Sequence, residues 1–154
     1  MKQNTTFFAP MIYLKQVALA IEFYKNAFDA IVLRQWNNDD GSVHVAEMSI
    51  NRTLFHMYEE STRNNKLSPE TLKGTSIALG LFVVDPHAVM AKAVSAGGTE
   101  IDPVQDYDYD YRQGTIGDPF GHHWVVQKKI GNNFTLKPIN SLFVRSKKTR
   151  TCKN

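Results

Sequence analysis

The chain has 154 residues, of which 42% are hydrophobic, 21% charged and 11% aromatic, the profile of a folded globular protein rather than a disordered or fibrous one. A chain this long buries roughly 70% of its unfolded surface and needs no cross-links to hold a core. The formal net charge is +3, but eight basic and no acidic residues lie between Lys128 and Asn154, so residues 1–127 hold ten basic and fifteen acidic residues, a net of −5. An acidic body with a basic tail argues against nucleic acid as a partner. The longest charge-free stretch, Gln3 to Leu14, has 12 residues and contains Pro10, short of the roughly 18 apolar residues of a membrane span. Lys2, Phe7, Phe8 and Pro10 do not form a cleavable leader either, so a cytosolic protein is expected. The single cysteine, Cys152, allows neither an internal disulfide nor a multi-cysteine zinc site.

In chain order, Met11–Leu14 is a short apolar strand. Val17, Ala20, Ile21, Tyr24 and Phe28 follow at the three- and four-residue spacing of one helix face. Strand patterns then run over Ala30–Arg34, Val43–Ile50 and Thr53–Tyr58. Residues 61–74, rich in Ser, Thr, Asn and Pro, form a linker between a first module at 1–60 and a second at 75–130, and 131–154 is a basic extension. The second module opens with a strand at Ile77–Val84. Asp85 then caps a helix that starts at Pro86, whose missing amide costs nothing at the first helical position. Val89, Met90, Ala93 and Val94 are its expected buried face, and Gly97-Gly98 ends it. Strands follow at Thr99–Ile101, Arg112–Gly117 and His122–Lys128.

The order strand, helix, three strands thus occurs twice, with Lys25 matching Lys92. One helix shields only one face of a sheet. Pairing of the two units is therefore expected, with an α+β fold of two tandem β-α-β-β-β modules, helices outside and a half-barrel cleft inside.

Asn51-Arg52 reads as a two-residue turn, so residues paired across it should sum to 103. Glu47 then faces His56, Val45 faces Tyr58 and Ser49 faces Leu54 on the cleft side. Ala46, Met48, Phe55 and Met57 turn to the helix. His44 sits at the strand end and is expected to be solvated. Asp118-Pro119-Phe120-Gly121 is a turn with Gly in the left-handed position, read as a hairpin with a bulge. Alternation after it sends His123 and Val125 to the cleft, and Trp124 and Val126 to the helix. The bulge leaves the direction of Arg112 open.

Several chemistries have no signature here: there is no G-x-S-x-G elbow, Walker loop, G-x-G-x-x-G or H-E-x-x-H. Without a nucleotide-type glycine loop, an adenosyl-dependent methyltransferase is not supported. Asp106, Asp108 and Asp110 start like a calcium loop, but that loop needs Gly at 111 and Glu at 117, where Tyr111 and Gly117 stand. With Tyr107, Tyr109 and Tyr111 between them, these residues are either an exposed acidic loop or a rim over the cleft.

The blocks Ala20-Ile21-Glu22-Phe23-Tyr24-Lys25-Asn26-Ala27-Phe28, Ala46-Glu47-Met48, and Arg112 through Gly114-Thr115 to Asp118-Pro119-Phe120-Gly121-His122-His123-Trp124 resemble the vicinal-oxygen-chelate superfamily. This superfamily includes glyoxalase I, bleomycin and fosfomycin resistance proteins and extradiol dioxygenases, and the resemblance is nearest its PhnB-like branch. It spans about residues 8–130 and implies the same duplicated fold. It also implies four metal-ligand positions, which fall at Ala9, His56, Leu79 and Val125. Only His56 has a ligating side chain, and a catalytic site needs about three. No metal or other cofactor is therefore expected, unless Glu47 and His123 act as displaced ligands.

The expected site is Glu47 and His56, surrounded by Met11, Tyr13, Tyr58, Leu79, Leu81, Val125 and His123, with Arg112 added for an anionic ligand if it turns inward. Glu47 and His56 either satisfy one another structurally or act together on a small substrate. Two functions follow. One is a small-molecule binding or sequestering protein, as in bleomycin resistance. The other is an enzyme, working by metal-free acid-base chemistry at Glu47 and His56 or as a lyase, isomerase or dioxygenase with shifted metal ligands. Family precedent implies a homodimer.

Overall fold

The structure, a computed structural model, describes residues 6–131. The tail strand suggested by Leu142-Phe143-Val144, the basic end and Cys152 lie outside the described residues. The first module comprises β1 (Met11–Leu14), α1 (Val17–Phe28), β2 (Ile31–Asn37), β3 (Val43–Ile50) and β4 (Thr53–Glu59). A 3-10 turn at Thr62–Asn64 and a short α2 (Pro69–Leu72) give the connecting segment more order than its composition suggests. Ser68 caps α2 by accepting from the Thr71 amide, while Glu60 accepts from the Ser68 amide and the Thr71 hydroxyl. The second module comprises β5 (Ala78–Phe82), α3 (Pro86–Ser95), β6 (Thr99–Tyr107), β7 (Tyr111–Gly117) and β8 (His123–Lys129).

Each module forms a four-stranded sheet, in the order β1-β4-β3-β2 and β5-β8-β7-β6. The first strand of each lies parallel to the last, and the other pairings are antiparallel. The β3-β4 ladder has the expected register, with Glu47 opposite His56 and Val45 opposite Tyr58. Its turn carries both central residues at positive φ, 45° at Asn51 and 69° at Arg52. That conformation suits asparagine, but it presses the Cβ of arginine against the backbone. Arg52→Gly is therefore expected to raise unfolding stability by roughly 0.5–1 kcal/mol in a urea titration; an unchanged midpoint would contradict a strained turn.

Asp85 caps α3 as expected, accepting from the amides of His87 at 3.0 Å and Ala88 at 3.3 Å. Gly97, at φ 110°, ends the helix. Met90 and Ala93 are buried, but Val94, expected to be buried too, is exposed. At the Asp118-Gly121 turn the expected bulge is present: Gly121, at φ 89°, donates its amide to the Asp118 carbonyl at 3.2 Å while the Asp118 amide donates to the His122 carbonyl at 2.9 Å, and beyond it the β7-β8 ladder runs in register from Gly117-His123 to Tyr111-Lys129. Of the tyrosine and aspartate run, only Asp108-Tyr109-Asp110 is an exposed turn, and its flanks belong to strands. β6 continues to Tyr107, Arg112 clamps Asp106 with two hydrogen bonds of 2.6 and 2.9 Å, and Tyr107 stacks on Tyr109 at 5.0 Å.

The helix-bearing faces of the two sheets meet in one core. Trp124 from β8 lies against Tyr24 (5.4 Å) and Phe28 (4.9 Å) of α1 and Phe55 (6.1 Å) of β4, and Phe23 meets Phe120 at 6.2 Å. Large flat rings bury most apolar area per residue and so decide how the modules dock. The opposite sheet faces, with the residues expected to line a cleft, consequently point away from each other. The half-barrel hollow is not closed within one chain.

Candidate functional site

Alternation and pairing organise the open face of the first sheet into rows that cross all four strands. One row runs Tyr13, Tyr58, Val45 and Trp36; the next runs Met11, His56, Glu47 and Arg34. A depression of about 260 Å³ lies over them, lined by Trp36, Val45, Glu47, His56 and Tyr58. Tyr13 and Tyr58 stand 6.1 Å apart, and His56 meets Tyr58 edge-on at 6.1 Å. A larger groove of about 530 Å³ runs between α3 and β6, but its two ionisable residues, His87 and Glu100, are exposed. The smaller depression holds the paired chemistry.

Glu47 sits between two bases, its Oε1 3.5 Å from His56 Nε2 and its Oε2 3.4 Å from Arg34 Nε. At those separations neither contact is a well-formed hydrogen bond. Both ring nitrogens of His56 are shielded from water and have no hydrogen-bond partner among the described residues. Leaving buried polar groups unpaired costs roughly 1–3 kcal/mol.

Met11, Tyr13, Tyr58, Glu47 and His56 thus share one face, as expected, with Met11 exposed at its edge. His123 and Val125 lie on the open face of the other sheet, away from this pair. Two expectations, Leu79 and Leu81, are corrected, and the direction of Arg112, open in the sequence, is fixed. Leu79 and Leu81 are in register with Trp124 and Val126 and turn to the core, because in the parallel β5-β8 pairing it is Ala78 and Gly80 that lie opposite His123 and Val125. Arg112 is opposite Lys128, on the same side as Val126 and Trp124, where Asp106 holds it. Its ion pair keeps the Arg112 guanidinium pKa above its ordinary value.

Arg34 and Trp36 were not anticipated. The strand pattern was taken to stop at Arg34, yet the apolar run from Ile31 with Trp36 two residues beyond Arg34 was a readable sign that both share a face.

The D-P-F-G-H-x-W block builds something other than this site. Buried Asp118 accepts from the Tyr24 hydroxyl at 2.6 Å, Trp124 Nε1 at 3.2 Å, and the amides of Phe120 and His122 at 3.0 and 2.9 Å. His122 Nδ1 lies 3.3 Å away. Burial alone would raise the Asp118 pKa, but the hydrogen bond and charge of His122 and the Tyr24 hydroxyl outweigh it and hold the carboxyl below its ordinary value. Tyr24 is pushed well up by burial, then by the Asp118 charge and their hydrogen bond. The block therefore ties β8 and its turn to α1 of the other module.

Residues 6–126 match the profile of the Glyoxalase/Bleomycin resistance protein/Dioxygenase superfamily. The chain belongs to this superfamily. An uncharacterized protein of Mycobacterium bovis is 32% identical over 125 residues, covering 79% of this chain and 82% of that protein. The X-ray structure of an Arabidopsis thaliana gene product is 26% identical with a TM-score of 0.67, covering 80% of this chain and 99% of that one. The PhnB protein of Bacillus cereus, 16% identical with a TM-score of 0.58 over 82% and 100% of the two chains, shares the fold.

The resemblance implies a divalent ion for the superfamily's enzymes, and the residues that one chain brings together do not fit one. At the four implied positions only His56 has a ligating side chain. Among the described residues of one chain no group of three or more His, Cys, Asp or Glu converges, and His123 is on the other sheet. Within one chain the two neighbouring donors, Glu47 and His56, fall short of the usual three.

Proposed function

We propose that this protein binds a small molecule on the open face of its first sheet, in a cleft completed by a second copy of the chain. The observation that carries this is the His56 imidazole, whose two ring nitrogens are unpaired beside Glu47 in an aromatic-walled depression. Apolar walls around a few convergent polar groups are the composition of a small-molecule site. Support for a homodimer comes from the open sheet faces, which leave Met11, Ile31 and Trp36 exposed on the first sheet and Phe82 on the second. Large apolar side chains exposed together on one sheet face are typically covered by a partner. No helix of the described residues is long and apolar enough to cross a membrane, and we propose a cytosolic site of action without nucleic acid.

A second reading treats the Glu47-His56 pair, 3.5 Å apart, as acid-base machinery in which the carboxylate orients the imidazole beside the substrate. Mass spectrometry and elemental analysis of protein purified without chelator test both. We expect an organic ligand that co-purifies with the wild type and is absent from His56→Ala. A stoichiometric divalent ion that disappears in His56→Ala would overturn the metal-poor site, and turnover of the recovered molecule, lost in Glu47→Gln, would favour the enzyme.

A further inference from the structure

The small-molecule reading of this face leaves the ligand's chemical class open, and the row structure narrows it. Trp36, Val45 and Tyr58 lie side by side on β2, β3 and β4. Strands are spaced about 4.8 Å apart, so the backbones of Trp36 and Tyr58 stand roughly 9.6 Å apart, with the short Val45 side chain between them. A ring lying between two others needs roughly 7–8 Å, two carbon contact distances. Strand spacing thus leaves room for one flat ring over Val45, in the depression that Trp36 and Tyr58 line, and Tyr13 extends the aromatic row past Tyr58.

The adjacent row, roughly 7 Å along the strands, offers Glu47 in its middle, with His56 and Arg34 on either side. A carboxylate only accepts hydrogen bonds. Arg34, 71% exposed at its side chain and 3.4 Å away, does not satisfy it as a hydrogen-bonded partner would.

We infer that the site takes a planar aromatic or heteroaromatic molecule bearing an N–H donor, the ring stacking between Trp36 and Tyr58 and the donor turned toward Glu47. Trp36 suits this role. It is 46% exposed on an edge strand, whereas the only other tryptophan, Trp124, is 5% exposed and built into the core.

Three probes separate shape from charge: 9-aminoacridine is flat with an N–H donor, 1-aminoadamantane is a compact, non-planar amine, and anthracene-9-carboxylate is flat but anionic. Isothermal titration of the full-length protein should show 9-aminoacridine binding at least roughly tenfold tighter than the other two. Trp36→Leu and Tyr58→Leu should each weaken it roughly tenfold, and Glu47→Gln should reduce its preference over the anthracene acid. Circular dichroism of each variant confirms folding, which these outward-facing positions should preserve.

Equal binding of the two amines, weakened by Glu47→Gln but unaffected by Trp36→Leu, would overturn the aromatic class and leave the small-molecule face standing. Preference for the anthracene acid, lost in Arg34→Ala, would overturn the N–H donor. No binding of 9-aminoacridine to the wild type also overturns the inference. If in addition no molecule co-purifies with the wild type in a His56-dependent way, the small-molecule reading falls with it.

Discussion

Asp118→Ala is expected to lower the unfolding free energy by about 3–5 kcal/mol in a urea titration, because it strands several buried donors at once. The Tyr24 hydroxyl, the Trp124 indole N–H and the amides of Phe120 and His122 all lose their acceptor. Asp118→Asn retains one carbonyl oxygen but loses the charge, and should cost less. The pH dependence has a defined sign. The folded Asp118 pKa lies below its ordinary value, so its contribution is fully present above the unfolded value of about 4 and is lost as pH falls through the lower folded value. Wild-type stability should thus decline through the acid range more steeply than that of Asp118→Asn. Parallel pH profiles for the two would show that folding does not lower the Asp118 pKa. Tyr24→Phe removes one donor of the set and should cost roughly 1–2 kcal/mol.

The second large effect is expected at Trp124. Truncation to Ala removes the ring that touches Tyr24, Phe28 and Phe55, for a loss of about 3–5 kcal/mol. These neighbours come from the first module while Trp124 comes from the second, so the substitution opens a cavity at the seam where the two halves dock. A urea titration should show both modules unfolding at a lower midpoint together, since one core spans them. Trp124 also donates to Asp118 at 3.2 Å. The Asp118→Ala and Trp124→Ala losses should then fall short of additivity in the double variant, as expected for groups in direct contact. Strict additivity would show that the carboxylate and the indole act independently.

Both substitutions fall in the motifs that carry the family resemblance, and the structure explains why such motifs say little about substrate. The I-E-F-Y and D-P-F-G-H-x-W blocks meet in the buried node of Tyr24, Asp118 and Trp124. They specify how the modules fold and dock. The open face of the first sheet is built from residues outside those blocks: Tyr13, Arg34, Trp36, Val45, His56 and Tyr58, with Glu47 between them.

What was legible in the amino-acid order was local. The helical period of α1, the Asp85-Pro86 cap, the left-handed Gly121 turn (φ 89°) and the Asn51-Arg52 hairpin are set by neighbours a few residues apart. A short turn also counts residues outward on both strands, which is why the amino-acid order alone sets Glu47 opposite His56. Where no short turn connects two strands, that count has no origin. The parallel β5-β8 pairing is of this kind, and only the folded sheet shows that Ala78 and Gly80, not Leu79 and Leu81, share a face with His123 and Val125. Register shifts had the same effect on β2, between Val32 and Arg34, so only the folded sheet places Arg34 and Trp36 beside Glu47 and Val45. The largest decision was also non-local. A hydrophobic pattern requires each helix-bearing face to be covered, but it does not say by what. The contacts of Trp124 with Tyr24, Phe28 and Phe55 join the two halves back to back, leaving the face that carries Glu47 and His56 open on the outside of the chain.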